Sequence, residues 1–70
     1  MGLHKVIRRK LDQLFNAADL SDLRVPPSNR LKALKGERKG YHSIRVNDQW
    51  RIVFQWERDA ASEVELTNYH

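Results

Sequence analysis

Cysteine is absent from this sequence, and no apolar run approaches the length of a membrane span. Without cysteine the chain can form no disulfide, no thiolate nucleophile and no zinc–cysteine site. A spanning helix needs about 20 consecutive apolar residues, and the start of the chain lacks the long apolar stretch of a signal peptide. A chain of 70 residues forms one domain that buries about 60% of its unfolded surface. We therefore predict a single cytoplasmic domain over residues 1–70, with a small core and no membrane partner.

Acidic side chains and metal ligands are also scarce. Nine Asp and Glu stand against thirteen Lys and Arg, a net charge of +4, which favours a polyanionic partner such as nucleic acid or an acidic protein. The three histidines, His4, His42 and His70, are scattered and lack the spacing of metal ligands. No glycine pattern forms a phosphate-binding loop followed by a helix. We expect neither a metal nor a cofactor.

What the sequence does contain is a pair of strand-like segments, residues 41–46 and 50–56. Both alternate apolar and polar side chains and are rich in β-branched and aromatic residues. A three-residue turn at 47–49 gives these cross-strand pairs on one apolar face: Val46 with Trp50, Ile44 with Ile52, and His42 with Phe54. The opposite face then carries Tyr41, Ser43, Arg45, Arg51, Val53 and Gln55. We predict that one face covers a core and that the other presents cations to solvent.

The N-terminal segment predicts an amphipathic helix over residues 3–18. Its apolar residues recur at spacings of three and four: Leu3, Ile7, Leu11, Leu14, Phe15 and Ala18. The cations between them are typical of a solvated helix face. A short extra turn at 19–23 and the extended segment 25–27, with its two prolines, follow the helix.

Two further strands complete the predicted sheet. Residues 29–34 form a first strand, and the glycine-bounded loop 36–40 joins it to the second. A polar connection over 57–62 leads to a last strand at 63–68, which pairs Phe54 with Val64 and Ile52 with Leu66. The fold class is therefore α+β, with one amphipathic helix packed on a four-stranded antiparallel sheet.

Four blocks of the sequence, in order, resemble the HigB branch of the RelE/ParE toxin superfamily. They are PPSNRL, LKG-x-x-x-G, SIRVNDQWRIVF and the closing Tyr-His. The resemblance covers essentially the whole chain and implies a RelE-like fold. Similar members usually carry one more strand and helix before the position of Met1. We therefore expect an N-terminally short chain that self-associates, or that needs an antitoxin segment laid across it.

The resemblance implies a ribosome-dependent endonuclease that cuts messenger RNA. Its implied partners are the ribosome, the message and a HigA-like helix-turn-helix antitoxin, with operator DNA bound only through the antitoxin complex. Cleaving RNA without metal requires attack of the 2′-hydroxyl on the adjacent phosphate. Such a site needs a base for the hydroxyl, cations for the developing charge and an acid for the leaving 5′-oxygen.

The candidate site residues follow from this chemistry and from the resemblance. Arg51 would hold a phosphate as a planar fork, Lys35 stands where the family has a functional lysine, Tyr69 can stack on a base, and His70 can give and take a proton. Asn68 stands where relatives commonly have Asp. The proposed catalytic set is therefore Lys35, Arg51, Asn68, Tyr69 and His70. The proposed RNA-binding set is Lys32, Arg38, Lys39, Tyr41 and Arg45, although some relatives have His where Lys32 stands.

Other interpretations stay open. Arg45 and Arg51 can be exposed strand residues paired with cross-strand acids. The aromatic side chains of Trp50, Phe54 and Trp56 are more typical of a core than of a stacking platform. Because Asn68 cannot act as a base, the chain can also be a catalytically weak or inactive module that binds an antitoxin and takes part in repression. Gyrase inhibition, as in the ParE branch, fits the Tyr-His terminus less well.

Overall fold

A computed structural model describes residues 2–68, in which one helix packs on a four-stranded antiparallel sheet. The elements are the helix α1 (Leu3–Asn16) and the strands β1 (Lys32–Ala33), β2 (Tyr41–Arg45), β3 (Trp50–Glu57) and β4 (Ala60–Asn68). The strands lie in the order β1-β2-β3-β4, so each pairs with its neighbour in sequence. The predicted α+β class is confirmed. No helix within residues 2–68 has the length and apolar character needed to cross a membrane.

Helix α1 ends two residues earlier than the sequence pattern predicts. Ala17 is extended (φ −70°, ψ 129°), and the backbone N–H groups of Ala18 and Asp19 donate to the Asp22 carboxylate at 3.0 and 3.1 Å. These two donors would otherwise bond to carbonyls one helical turn earlier. The Asp22 carboxylate accepts both N–H groups instead and so caps the short 3-10 helix Leu20–Arg24.

The first strand is much shorter than predicted, two residues instead of the six at 29–34. Pro27–Asn29 forms a 3-10 turn, and Arg30 adopts the left-handed conformation with φ 46°. Asn29 is fully buried, and its amide nitrogen donates to the Gln13 side chain and to the carbonyls of Leu23 and Val25. These local bonds compete with the backbone ladder, so pairing begins only after the turn.

The hairpin between β2 and β3 has the predicted register. Ile44 is the partner of Ile52, and His42 is the partner of Phe54. The Asn47 side chain accepts the N–H groups of Gln49 and Trp50, each at 2.8 Å, and so closes the three-residue turn.

The hairpin between β3 and β4 differs from the prediction. Strand β4 begins at Ala60, whose partner is Glu57, so the polar connection predicted at 57–62 is instead a two-residue turn. Arg58 and Asp59 both have positive φ, 52° and 62°, as a type I′ hairpin turn requires. The extra length of β4 is absorbed by a register shift between Val53 and Gln55.

The core lies between α1 and one face of the sheet. Its most buried members are Leu14, Leu23, Ile44, Ile52 and Phe54, each at most 1% exposed. Phe54 stacks on His42 and meets Trp56 edge-on. The Ile52–Leu66 pair is confirmed, although Leu66 remains 41% exposed. Phe54, predicted to pair with Val64, lies at the register shift.

Candidate functional site

The face of the sheet opposite the core contains a cavity of ≈ 340 Å³. The sequence predicted that this face is solvated, but the floor of the cavity is buried, since Ser43 and Val53 are only 1% and 6% exposed. The seven lining residues come from all four strands and the loop beside them: Lys32, Leu34, Arg38, Ser43, Arg51, Val53 and Thr67. Three of the seven are cationic, so the cavity suits an anionic ligand with an apolar part.

Arg51 is the best-fixed cation of this cavity. Its Nε donates to the Ser43 hydroxyl oxygen at 2.8 Å, and its Nη2 donates to the Arg30 carbonyl at 2.7 Å and to the Ser43 carbonyl at 3.4 Å. Arg51 lies on the face opposite the core, as predicted, but its side chain is half-buried rather than fully solvated. These acceptors are neutral, and the guanidinium keeps its charge in a fixed orientation.

A second cavity of ≈ 360 Å³ adjoins the first and shares Lys32, Leu34 and Arg38 with it. Lys35 lines this second cavity, beside Ala33, and lies outside the first. The two predicted catalytic cations, Lys35 and Arg51, therefore occupy neighbouring cavities with a common wall. A ligand longer than one cavity, such as a polynucleotide, could contact both.

Arg38 stands at the boundary between the two cavities. Its guanidinium pairs with the Glu65 carboxylate at 3.4 Å and lies 5.7 Å from the centre of the Tyr41 ring. Both members of the ion pair are more than half exposed, so solvent screens the pair and its contribution to stability is small. Lys39 follows the turn Gly36–Arg38 and lines neither cavity.

Arg45 lies beside Arg51 in the sheet but outside both cavities. It forms an ion pair with Asp48 in the following turn, which is a local partner and not the cross-strand acid considered from the sequence. Burial lowers the pKa of Lys10, and the charges of Arg9 and Arg45 lower it further. Arg45 therefore lies close enough to α1 for its charge to act on Lys10.

Three of the predicted catalytic residues, Asn68, Tyr69 and His70, close the chain. Asn68 closes β4 as the partner of Trp50, and it lines neither cavity. Tyr69 and His70 lie outside the described residues, so their catalytic roles stay predictions. Within residues 2–68, no group of three His, Asp or Glu side chains could hold a metal ion.

Sequence reasoning missed several residues that form the site. Leu34 and Thr67 line the first cavity, and the Arg30 carbonyl and the Ser43 hydroxyl hold Arg51. Ser43 could have been found, because it is a diagonal cross-strand neighbour of Arg51 on the same face. The Arg30 carbonyl could not, since its position depends on a turn that the sequence pattern did not predict.

Comparison with known proteins identifies the family that the sequence motifs resemble. Residues 2–70 match the family model described as the RelE-like toxin of type II toxin-antitoxin system HigB. The chain is 50% identical over 55 residues to Toxin HigB-1 of Vibrio cholerae, covering 79% of this chain and 58% of the relative. It is 34% identical over 64 residues to Endoribonuclease HigB of Proteus vulgaris, covering 91% and 68%. An uncharacterized Haemophilus influenzae protein is 38% identical over 65 residues, covering 93% and 64%. The chain therefore spans only part of the length of these relatives.

Proposed function

This chain belongs to the family of HigB-like toxins, the RelE-like toxins of type II toxin-antitoxin systems, and on that basis we propose that it is an endoribonuclease that cuts messenger RNA on the ribosome. The observation that carries the proposal is the fixed Arg51 guanidinium in a cation-lined cavity next to the cavity of Lys35. The relative from Proteus vulgaris is itself named an endoribonuclease.

The proposed reaction is metal-free transesterification. The 2′-oxygen attacks the adjacent phosphorus and gives its proton to a base, the bond from phosphorus to the 5′-oxygen breaks, and an acid protonates that oxygen. Arg51 and Lys35 stabilise the negative charge that develops on the phosphoryl oxygens. Among the candidates, His70 is the side chain of a type that can both accept and donate a proton near neutral pH, and Tyr69 would stack on a base.

The RNA strand is proposed to extend beyond the reacting phosphate. Lys32 and Arg38 belong to the wall shared by the two cavities and would contact the neighbouring phosphates. Tyr41 lies under the Arg38 guanidinium and would keep it at that wall. Arg45 and Lys39 lie outside both cavities, and they would meet only the flanking strand.

Primer extension on a ribosome-bound message tests this function. We expect the wild-type chain to cut the message on ribosomes, and a single 2′-deoxy substitution at the scissile nucleotide to block the cut. Arg51→Ala should lose cleavage, whereas Arg58→Ala, in the exposed turn after β3, serves as a matched control and should cleave normally. Cleavage that persists at the 2′-deoxy position would exclude the proposed attack.

The proposed partner is a HigA-like helix-turn-helix antitoxin, through which the complex would reach operator DNA, and the proposed site of action is the cytoplasm. The +4 net charge suits an acidic segment of such a partner. Co-purification with the product of the adjacent reading frame, in a complex that 1 M salt weakens, is the expected result. Failure of the two proteins to co-purify at low salt would contradict this pairing.

A second candidate function is an antitoxin-binding module with weak or no nuclease activity. The observation that favours it is Asn68, an amide at the position where the resemblance to the family implies a carboxylate. This module would bind the antitoxin and support operator binding by the complex, while ribosome-bound message stays intact. The same primer-extension assay separates the two functions.

A further inference from the structure

Ser43 is a buried hydroxyl on the cavity face of β2. It is 1% exposed, and Val53, its cross-strand partner, is apolar and buried as well. A hydroxyl removed from water is unfavourable unless it is hydrogen-bonded, and serine adds little packing to a strand. A small apolar residue would fill this position at lower cost, so the hydroxyl needs a reason beyond packing.

The hydroxyl oxygen accepts the Nε–H of Arg51 at 2.8 Å. On the same edge of the guanidinium, Nη2 donates to the Arg30 carbonyl at 2.7 Å. Arg30 itself is held in the left-handed conformation at the end of the turn Pro27–Asn29. Two acceptors from different parts of the chain therefore fix both the position and the plane of one guanidinium.

We propose that Ser43 is a positioning residue, which acts through Arg51 by holding its guanidinium ready for a phosphate before RNA binds. A free arginine side chain would lose rotational freedom on binding, whereas a tethered one has already lost it. Charge stabilisation in a reaction is strongest when the donors need no rearrangement as the charge develops. This inference rests on the proposed nuclease function, but the tether itself can be tested separately from cleavage.

The first experiment measures the tether in the unmodified protein. In nitrogen-15 NMR spectra, exchange of the Arg51 Nε–H with solvent should be about tenfold slower than that of Arg58 in the exposed turn. An Arg51 Nε–H that exchanges as fast as that of Arg58 would overturn the proposal. This measurement requires no variant, so it holds even where a substitution at Ser43 prevents folding.

The second experiment is a double-mutant cycle on cleavage. Ser43→Ala should lower the cleavage rate about tenfold and remove the slow exchange of Arg51, whereas Ser62→Ala, a matched change on exposed β4 surface, should alter neither. In an Arg51→Ala background, Ser43→Ala should have no further effect, because the positioned group is gone. An equal loss in both backgrounds would show that Ser43 acts independently of Arg51.

The two experiments separate failure of this inference from failure of the proposed function. If the wild-type chain cuts no RNA, the same cycle is run on the dissociation constant for a short RNA oligonucleotide, and slow exchange of Arg51 still supports the tether. If cleavage is present but Ser43→Ala leaves both cleavage and exchange unchanged, the nuclease stands and the positioning role of Ser43 is wrong.

Discussion

The two faces of the central hairpin, β2 and β3, are built from alternate residues of the same strands, but different interactions hold their side chains in place. On the face toward α1, Ile44, Ile52 and Phe54 are buried through many non-directional contacts. On the cavity face, Ser43 and Arg51 are held by a few directional hydrogen bonds. Dispersed apolar contacts determine whether the sheet folds, whereas the directional bonds determine where one charge lies.

The largest expected effect concerns the apolar face. Phe54→Ala removes the central side chain of a small core and should lower the free energy of unfolding by about 3–5 kcal/mol, much of the stability of a domain of this size. Urea unfolding followed by tryptophan fluorescence measures the loss. A Phe54→Ala protein as stable as the wild type would show that the face toward α1 is not the core.

The next effect concerns the cavity face. Arg51→Ala should reduce cleavage of ribosome-bound message by about 10²–10³-fold, because it removes a preorganised donor to the developing charge. It should also lower the free energy of unfolding by about 1–3 kcal/mol, since Ser43 and Arg30 lose a hydrogen-bond donor.

Lys35→Ala is the comparison variant for Arg51→Ala. It should also reduce cleavage, but it should leave the unfolding free energy near the wild-type value, because Lys35 lies in an exposed turn beside the second cavity. Equal destabilisation by the two substitutions would contradict the difference in tethering described for these cations.

Asn68→Asp tests whether a carboxylate at the end of β4 contributes to cleavage. A carboxylate at this position could accept the 2′-hydroxyl proton or raise the pKa of His70 through its negative charge. We expect cleavage to rise by about 10²-fold, the low end of what a positioned base contributes. Unchanged cleavage in primer extension would show that the base lies elsewhere. Asn68→Ala is the control, because it lacks both the amide and the carboxylate.

The smallest effect separates tethered from solvated charge on the same face. Glu65→Gln removes the exposed ion pair with Arg38, and the free energy of unfolding should change by less than about 0.5 kcal/mol. Thermal unfolding at low and high salt measures this change. A large loss that salt abolishes would show that Arg38 is held as firmly as Arg51.

Alternation of side chains was enough to predict the β2–β3 pairing and the core face, because a half-buried strand has a strict period of two. It failed where polar side chains redirect the backbone. Asp22 ends α1 early, and Asn29 replaces part of the first strand by a turn. It also failed at Arg58 and Asp59, which lack the glycine that usually marks a type I′ turn. The sequence predicted Arg51 as a functional cation but did not predict the hydrogen bonds that hold it. One of these bonds goes to the Arg30 carbonyl, whose position depends on the unpredicted turn at Pro27–Asn29.

The register shift between β3 and β4 changes which residues of β4 face each side of the sheet. At Glu63 the backbone takes φ 49°, and one extra residue of β4 is accommodated opposite β3. Beyond it, Leu66 faces Ile52 and Thr67 faces Arg51. If this extra residue were paired regularly instead of bulging, the ladder continued from the Gln55–Ser62 pair would set Leu66 opposite Arg51 and Thr67 opposite Trp50. Leu66 would then face the first cavity and Thr67 the core. Residue 63 thus sets which side of the sheet every later side chain of β4 occupies, without contributing a side chain to either cavity.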